Sequence, residues 1–247
     1  MPPSENDSLC LEVKNLVKSY GGRRVVNGLS FKVRRGEIVG LLGPNGAGKT
    51  TAFYMTVGLI RPDQGNVMFQ GEVVTHLPMH KRARMGMGYL AQEPSVFRSL
   101  TVEENILCIL ESLPLSKAAR RERLQELLGE LHLQHLAKKK AAALSGGERR
   151  RVEITRALVT NPSLLMLDEP FANIDPLSVQ DVKHLIRLLA QKNISILITD
   201  HNAREIFSVV DKSYLVQEGR VTFEGGVEAL VNNEEARRTY LGYDFKM

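Results

Sequence analysis

The chain has 247 residues, 43% of them hydrophobic and 25% charged, ordinary globular usage that excludes a disordered or fibrous protein and allows one large or two modest domains. Its two cysteines, Cys10 and Cys108, have no C-x-x-C spacing, which excludes a disulfide framework and a cysteine-based zinc site and fits a reducing compartment. The net charge of +5 is a lysine and arginine excess that a solvated surface accounts for, so it does not by itself argue for nucleic acid. Residues 1–8 are polar and carry Pro2 and Pro3 without the apolar segment of a secretory leader. No apolar run approaches the roughly 20 residues that cross a bilayer, so we expect a cytosolic chain.

In chain order, Leu9–Leu16 and Val25–Val33 have extended patterns around a turn at Gly21-Gly22. Ile38–Leu42 is a short continuous apolar run that predicts a buried strand. A glycine-rich loop separates it from a helix predicted over Lys49–Leu59, and Gly65–Phe69 predicts another strand. From about Thr101 to Asn161 helical spacing dominates. Thr101-Val-Glu-Glu104 has the form of a capping box. Leu113 and Pro114 break that helix, Ser116 starts the next, and Leu124, Leu127, Leu128 and Leu131 share one face. The charges at Arg120–Arg123 are expected to cover its solvated side. Strand and helix then alternate again: Leu164–Leu167, a helix over Leu177–Gln191, Ile194–Thr199, a helix over Ala203–Val209, and a hairpin of Tyr214–Gln217 with Val221–Glu224 closing near Gly219. A short helix is expected after Glu234. An α/β core with an inserted helical block follows.

Gly43-Pro-Asn-Gly-Ala-Gly-Lys49-Thr50 matches G-x-x-x-x-G-K-[ST] between a predicted strand and a helix, the context that this phosphate-binding motif requires. Gly43, Gly46 and Gly48 let the backbone wrap closely enough to aim N–H groups at phosphate oxygens, and the helix start adds its positive end. Lys49 is expected to neutralise β and γ phosphates and the Thr50 hydroxyl to ligate Mg²⁺. The run Leu164-Leu-Met-Leu-Asp168-Glu169 ends a buried strand in two acids. In an open parallel sheet that edge lies beside the phosphate loop, giving Asp168 to the metal and Glu169 to an attacking water as general base. His201 follows another strand and either senses the γ-phosphate or is a surface-loop histidine. Gln92 follows the predicted strand Met87–Leu90, where its amide could touch Mg²⁺. The Tyr20 ring serves equally for adenine stacking or for strand packing.

Leu144-Ser-Gly-Gly-Glu148 at the head of a helix, shortly before the strand that ends in Asp168-Glu169, resembles the signature of ABC ATPases. The resemblance extends from about Leu11 to Phe245. It implies a P-loop NTPase core with an antiparallel β subdomain and an inserted α-helical subdomain, with core and β subdomain over 9–92 and 162–233, the helical subdomain over 93–161 and a tail over 234–247. It implies ATP and Mg²⁺ as cofactors and a homodimer with ATP at the interface. Gly43, Pro44, Asn45, Gly46, Ala47, Gly48, Lys49, Thr50 and Thr51 of one copy would then face Ser145, Gly146, Gly147 and Glu148 of the other. By the same resemblance Tyr20 stacks on adenine and Gln92 is the Q-loop glutamine. Asp168 is the magnesium aspartate beside Thr50 and Gln92, Glu169 the catalytic glutamate, His201 the switch histidine and Asp175 the D-loop aspartate. Ala172-Asn-Ile-Asp175 differs there from the usual S-A-L-D.

Gln92-Glu-Pro-Ser-Val-Phe-Arg98, Ile198-Thr-Asp-His-Asn202, Leu144–Glu153 and Tyr240-Leu-Gly-Tyr-Asp-Phe245 are similar to the ATPases of lipopolysaccharide export systems. Ala91 stands where that group has Pro, and Tyr243 where it has Glu. This implies a peripheral position on the cytosolic face of an inner membrane, beside two integral membrane subunits of the LptF/LptG kind. Phe97 and Arg98 would line the groove for their coupling helices; packing within the helical block is the plain alternative for Phe97. An importer ATPase of the branched-chain amino acid type shares the L-S-G-G-E segment. An ATP-gated nucleic-acid clamp has only the +5 charge in its favour, without the long coiled coil or second cassette of such proteins, so no nucleic acid is expected.

Overall fold

A computed structural model describes residues 9–245; 1–8, where no leader is expected, and 246–247 of the tail lie outside the described residues. Two sheets organise the chain. The first is antiparallel, with strand order β2 (Arg23–Arg34), β1 (Leu9–Tyr20), β4 (Gln64–Phe69), β5 (Glu72–Val73). The second has the order β10 (Arg220–Gly225), β9 (Lys212–Gln217), β3 (Ile38–Leu42), β8 (Ser195–Thr199), β7 (Leu164–Asp168), β6 (Met87–Leu90). Its pairs are parallel except for the β9–β10 hairpin at one edge.

The apolar runs of the second sheet are continuous because both faces are covered. Ile38, Leu42, Leu165, Leu167, Ile196 and Ile198 belong to one apolar cluster. Their neighbours Val39, Leu41, Leu164, Met166 and Leu197 belong to the other, so the two-residue period of each strand divides its side chains between two cores. The first core joins the sheet to α3 (Val102–Leu110), α4 (Lys117–Glu130), α5 (Gly146–Leu158) and α6 (Pro176–Gln191). The second joins it to the antiparallel sheet and α1 (Lys49–Val57).

The capping box at Thr101 forms as the sequence predicts, and Ser116 caps α4. Leu124, Leu127, Leu128 and Leu131 are buried together. Arg121 and Glu122 are exposed, but Arg123 is only half-exposed because its guanidinium turns inward to bond the Asn161 side chain and Glu126. The charged run therefore covers the solvated side only in part. Three of the named elements lack a prediction: the two-residue β5, α2 (Met79–Arg84) and α8 (Val227–Val231). After Glu234 the chain forms one short turn, α9 (Glu234–Ala236), which widens into a π-type turn over Arg237–Leu241. α7 (Ala203–Phe207) ends two residues earlier than predicted.

Candidate functional site

The sheet order decides which side chains meet. β3, β8, β7 and β6 are adjacent, with Leu41 opposite Thr199, Thr199 opposite Asp168, and Leu90 opposite Leu167. The segments that leave their C-terminal ends carry Gly43–Thr51, His201, Glu169 and Gln92, so residues spread over nearly 160 positions converge at one edge.

The loop after β3 is shaped by close backbone approach. Gly43 has φ 143°, and a Cβ there would overlap the Val216 carbonyl oxygen. At Gly48, φ 99°, a Cβ would lie 2.6 Å from the Val25 carbonyl oxygen. Gly48 is also the N-cap of α1; it supplies no side-chain cap, and the first turn of that helix holds no acid. The α1 N–H groups thus face the loop unsatisfied by side chains, a ready site for an anion. Lys49 Nζ lies across the loop and donates to the carbonyls of Gly43 (2.6 Å) and Pro44 (2.9 Å). Burial lowers its pKa, against the opposing charge of Glu169. Thr50 is exposed at the rim and Ala47 buried beneath it.

Asp168 is 2% exposed, and its Oδ2 has no hydrogen-bond partner among the described residues. Burial, reinforced by the neighbouring charge of Glu169, pushes its pKa up to about 6. A buried carboxylate oxygen without a partner is costly unless a cation or donor meets it, so this atom suits a divalent cation. No group of three or more His, Cys, Asp or Glu side chains among the described residues could cage a metal. That donor set suits Mg²⁺, which keeps waters and phosphate oxygens as ligands.

Glu169 has φ 46°, unusual for a residue with a side chain. Its N–H donates to the Thr199 carbonyl at 2.7 Å, fixing the turn. Its Oε2 accepts from Gln92 Nε2 at 2.8 Å and lies 3.3 Å from His201 Nδ1. Three predicted residues from three loops thus meet on one oxygen. His201 Nδ1 is also 3.5 Å from Asp200 Oδ1, and Asp200 itself is buried and ties the Phe171 and Asn202 N–H groups.

Ser145 is the N-cap of α5, in a full capping box with Glu148. Gly147 packs so closely on Ser178 that a Cβ would collide with its side chain. Asp175 caps α6, accepting from Ser178 N (3.0 Å) and Ser178 Oγ (2.6 Å). No hydrogen bond among the described residues joins 145–148 to 43–51, so one copy does not bring these two predicted halves together. Tyr20 ends β1 half-exposed, with Lys18 Nζ 5.7 Å from its ring centre. Phe97 is half-exposed rather than packed inside the helical block, with the Arg156 guanidinium 4.9 Å from its ring centre; Arg98 is exposed beside it.

Two residues escape the sequence reading. Arg150, buried on α5, donates to the carbonyls of Ala91, Asp168, Glu169 and Pro170 and to Glu153, which in turn accepts from the Ser95 N–H. It fastens the signature helix to both the glutamate turn and the segment after β6. The signal was its spacing: stepping back from the apolar pair Leu158 and Ile154 by four residues reaches Arg150, on the buried face. Arg82 on α2 is 1% exposed and donates to the Met55 and Thr56 carbonyls at the end of α1, and to those of Thr75 and Leu77. It answers the negative end of the phosphate-loop helix.

A family profile described as ABC transporter matches residues 26–172. The lipopolysaccharide export system ATP-binding protein LptB of Acidithiobacillus ferridurans is 52% identical over 237 residues, 96% of this chain and 98% of that protein. LptB of Escherichia coli K12 is 49% identical over 238 residues, 96% of this chain and 99% of that protein. Among solved structures, the ADP conformation of MJ1267, an ATP-binding cassette of an ABC transporter, superposes with a TM-score of 0.85 at 29% identity, covering 95% of this chain and 99% of that one. The layered α/β architecture predicted from the sequence is therefore the ABC ATPase fold, and the chain belongs to the ATP-binding, ATP-hydrolysing family of ABC transporter subunits.

Proposed function

We propose that this ABC ATPase drives lipopolysaccharide extraction and export, acting as a homodimer on the cytosolic face of an inner membrane beside two integral LptF/LptG-like subunits. The observation that carries the reading is the end-to-end similarity to lipopolysaccharide-export ATPases at about half identity. The exposed pair Phe97 and Arg98 adds a surface that coupling helices of membrane subunits would occupy. In this reading 9–92 and 162–233 form the ATP-binding core, and 93–161 is the arm that presents the signature segment to the other copy.

The geometry supports the following roles. Lys49 exchanges its two loop carbonyls for β and γ phosphate oxygens, and the uncapped N–H groups at the start of α1 take the remaining anionic charge. Thr50, Asp168 and Gln92 would hold Mg²⁺, which would neutralise charge developing on the transferred phosphoryl group. Tyr20 stacks on adenine. Gln92 and His201 are both bonded or close to Glu169 Oε2, so their departure toward metal and γ-phosphate frees that oxygen to accept a proton from water. Ser145 Oγ already accepts the Glu148 N–H, which leaves its own proton to donate to the γ-phosphate of the other copy, beside the N–H groups of Gly146 and Gly147. Asp175 holds the turn between the two halves.

Glu169→Gln keeps the shape and removes the base. Turnover should fall on the order of a thousandfold while Mg-ATP binding persists, so ATP-bound dimers accumulate and sedimentation detects them. A variant that stays monomeric in saturating Mg-ATP, with membrane partners as well as without, overturns the shared site. Affinity purification in mild detergent tests the export assignment: the lipid-export pair should accompany the chain, and a binding-protein-dependent importer in its place would overturn it.

A further inference from the structure

The signature helix carries an internal contradiction. Glu148 stands at the third position of α5, where its carboxylate accepts from the Ser145 N–H at 2.8 Å and completes the capping box. An acid there favours the helix. In the homodimer proposed above, however, the same turn must receive a triphosphate from the other copy, and a fixed anion within one turn of that phosphate opposes it.

Lys139 is built to resolve this. Its Nζ lies 3.2 Å from Glu148 Oε2. Its backbone is clamped: the Val102 N–H donates to its carbonyl at 3.1 Å, and its own N–H donates to Leu136 at 2.8 Å. The next residue, Lys140, pairs with Thr101 in a short antiparallel bridge, so the start of α3 holds the lysine against the start of α5. Lys138 has a different partner, Glu103, so the acid of the signature segment has a lysine of its own. Burial works against ionisation of Glu148, but the Ser145 N–H and Lys139 hold its carboxyl below the ordinary range. The group is therefore charged at neutral pH, and its neutralisation comes from a cation rather than a proton.

We propose that Lys139 is a positioning residue for ATP-driven dimer closure: by pairing with Glu148 it cancels the negative charge that Ser145–Glu148 would otherwise present to the triphosphate of the other copy. The proposal rests on the shared-site reading and adds to it the reason a glutamate is tolerated in the signature segment.

The test uses full-length protein in the Glu169→Gln background, with dimerisation in saturating Mg-ATP followed by analytical ultracentrifugation. Lys139→Ala should weaken the dimer roughly tenfold, a factor of about three at each of two equivalent contacts. Lys139→Arg should retain closure. Glu148→Gln keeps a capping-box residue without the charge, so adding Lys139→Ala to it should cost nothing further. The Lys139→Ala defect should also shrink as salt is raised, because its cause is charge repulsion. Unchanged dimerisation of Lys139→Ala overturns the proposal, and so does a defect of the same size with glutamine at 148, which marks a purely structural role. The Glu169→Gln parent serves as the control: if it fails to dimerise, the shared-site reading itself has failed, whereas a dimerising parent confines any failure to Lys139.

Discussion

Two helix N-termini are assigned to the same triphosphate, and they are built in opposite ways. α1 begins at Gly48 with no side-chain cap and no acid in its first turn, beside a half-buried lysine whose hydrogen-bond partners are backbone carbonyls. α5 begins at Ser145 with a complete capping box and an acid already paired to Lys139. The first terminus leaves donors open, and the phosphate closes them. The second is partly satisfied before any ligand arrives: its capping box takes up the Ser145 and Glu148 N–H groups and leaves those of Gly146 and Gly147. In the proposed shared site, one half would gain much from nucleotide and the other less, which suits a cycle of tight loading and reversible closure. The lesson is that a helix start becomes a strong anion site through what its sequence withholds as much as through what it supplies.

The strongest way to break this comparison is Lys49→Ala. If the open half carries the affinity, removing its cation should weaken Mg-ATP binding by about 3 kcal/mol, roughly a hundredfold, and abolish turnover at ordinary nucleotide concentrations. Fluorescent-nucleotide titration of the monomer reads the first effect and phosphate release the second. Affinity within a few fold of the parent would mean that the N–H groups of α1 suffice and that the lysine acts on the reaction alone.

Asp168 sharpens the same contrast from the side of stability. Its pKa, raised from 3.8 to about 6 by burial and then by the charge of Glu169, means that the folded protein binds this proton more tightly than the unfolded chain does. The sign follows: the group does not destabilise the fold below about pH 3.8, its penalty grows as pH rises between 3.8 and 6, and the full penalty persists above. Asp168→Asn should therefore stabilise the nucleotide-free protein by at most about 3 kcal/mol at pH 8, with a gain that vanishes toward pH 4, while Mg-dependent hydrolysis is lost. Denaturant unfolding of both proteins across that range measures it. A variant no more stable at pH 8 would show that the orphaned oxygen carries no strain.

What one segment makes by itself was legible. Gly43–Thr50, the apolar run ending in Asp168-Glu169 and the cap at Thr101 each announce themselves within about eight residues. What stayed hidden depends on contacts across the chain. α2 has no apolar period, and its N-cap, Pro78, gives no side-chain signal, so Arg82 passes for a solvated charge although α1 buries it. Glu148-Arg-Arg-Arg151 looks like an exposed charged face; the four-residue step from Leu158 and Ile154 puts Arg150 on the buried side, but only the turn after β7 shows what it binds there. Lys139 sits in a run of three lysines whose partners lie on α3 and α5, so no local pattern separates it from its neighbours. Sequence spoke clearly where one segment makes its own chemistry, and weakly where one segment positions another.

The smallest expected effect tests the closed half. Ser145 has two assigned tasks, capping α5 and donating its proton to the facing phosphate, and two substitutions separate them. Ser145→Ala removes both, costing about 1 kcal/mol of helix-start stability and slowing turnover roughly tenfold, with monomer affinity for Mg-ATP held within about twofold. Ser145→Gly costs only a few tenths of a kcal/mol at an N-cap yet still lacks the hydroxyl. If the hydroxyl matters to the phosphate, glycine should restore the melting temperature and leave turnover as slow as in the alanine variant. Should glycine restore both, Ser145 is a cap and nothing more, and the N–H groups of Gly146 and Gly147 alone would have to receive the phosphate.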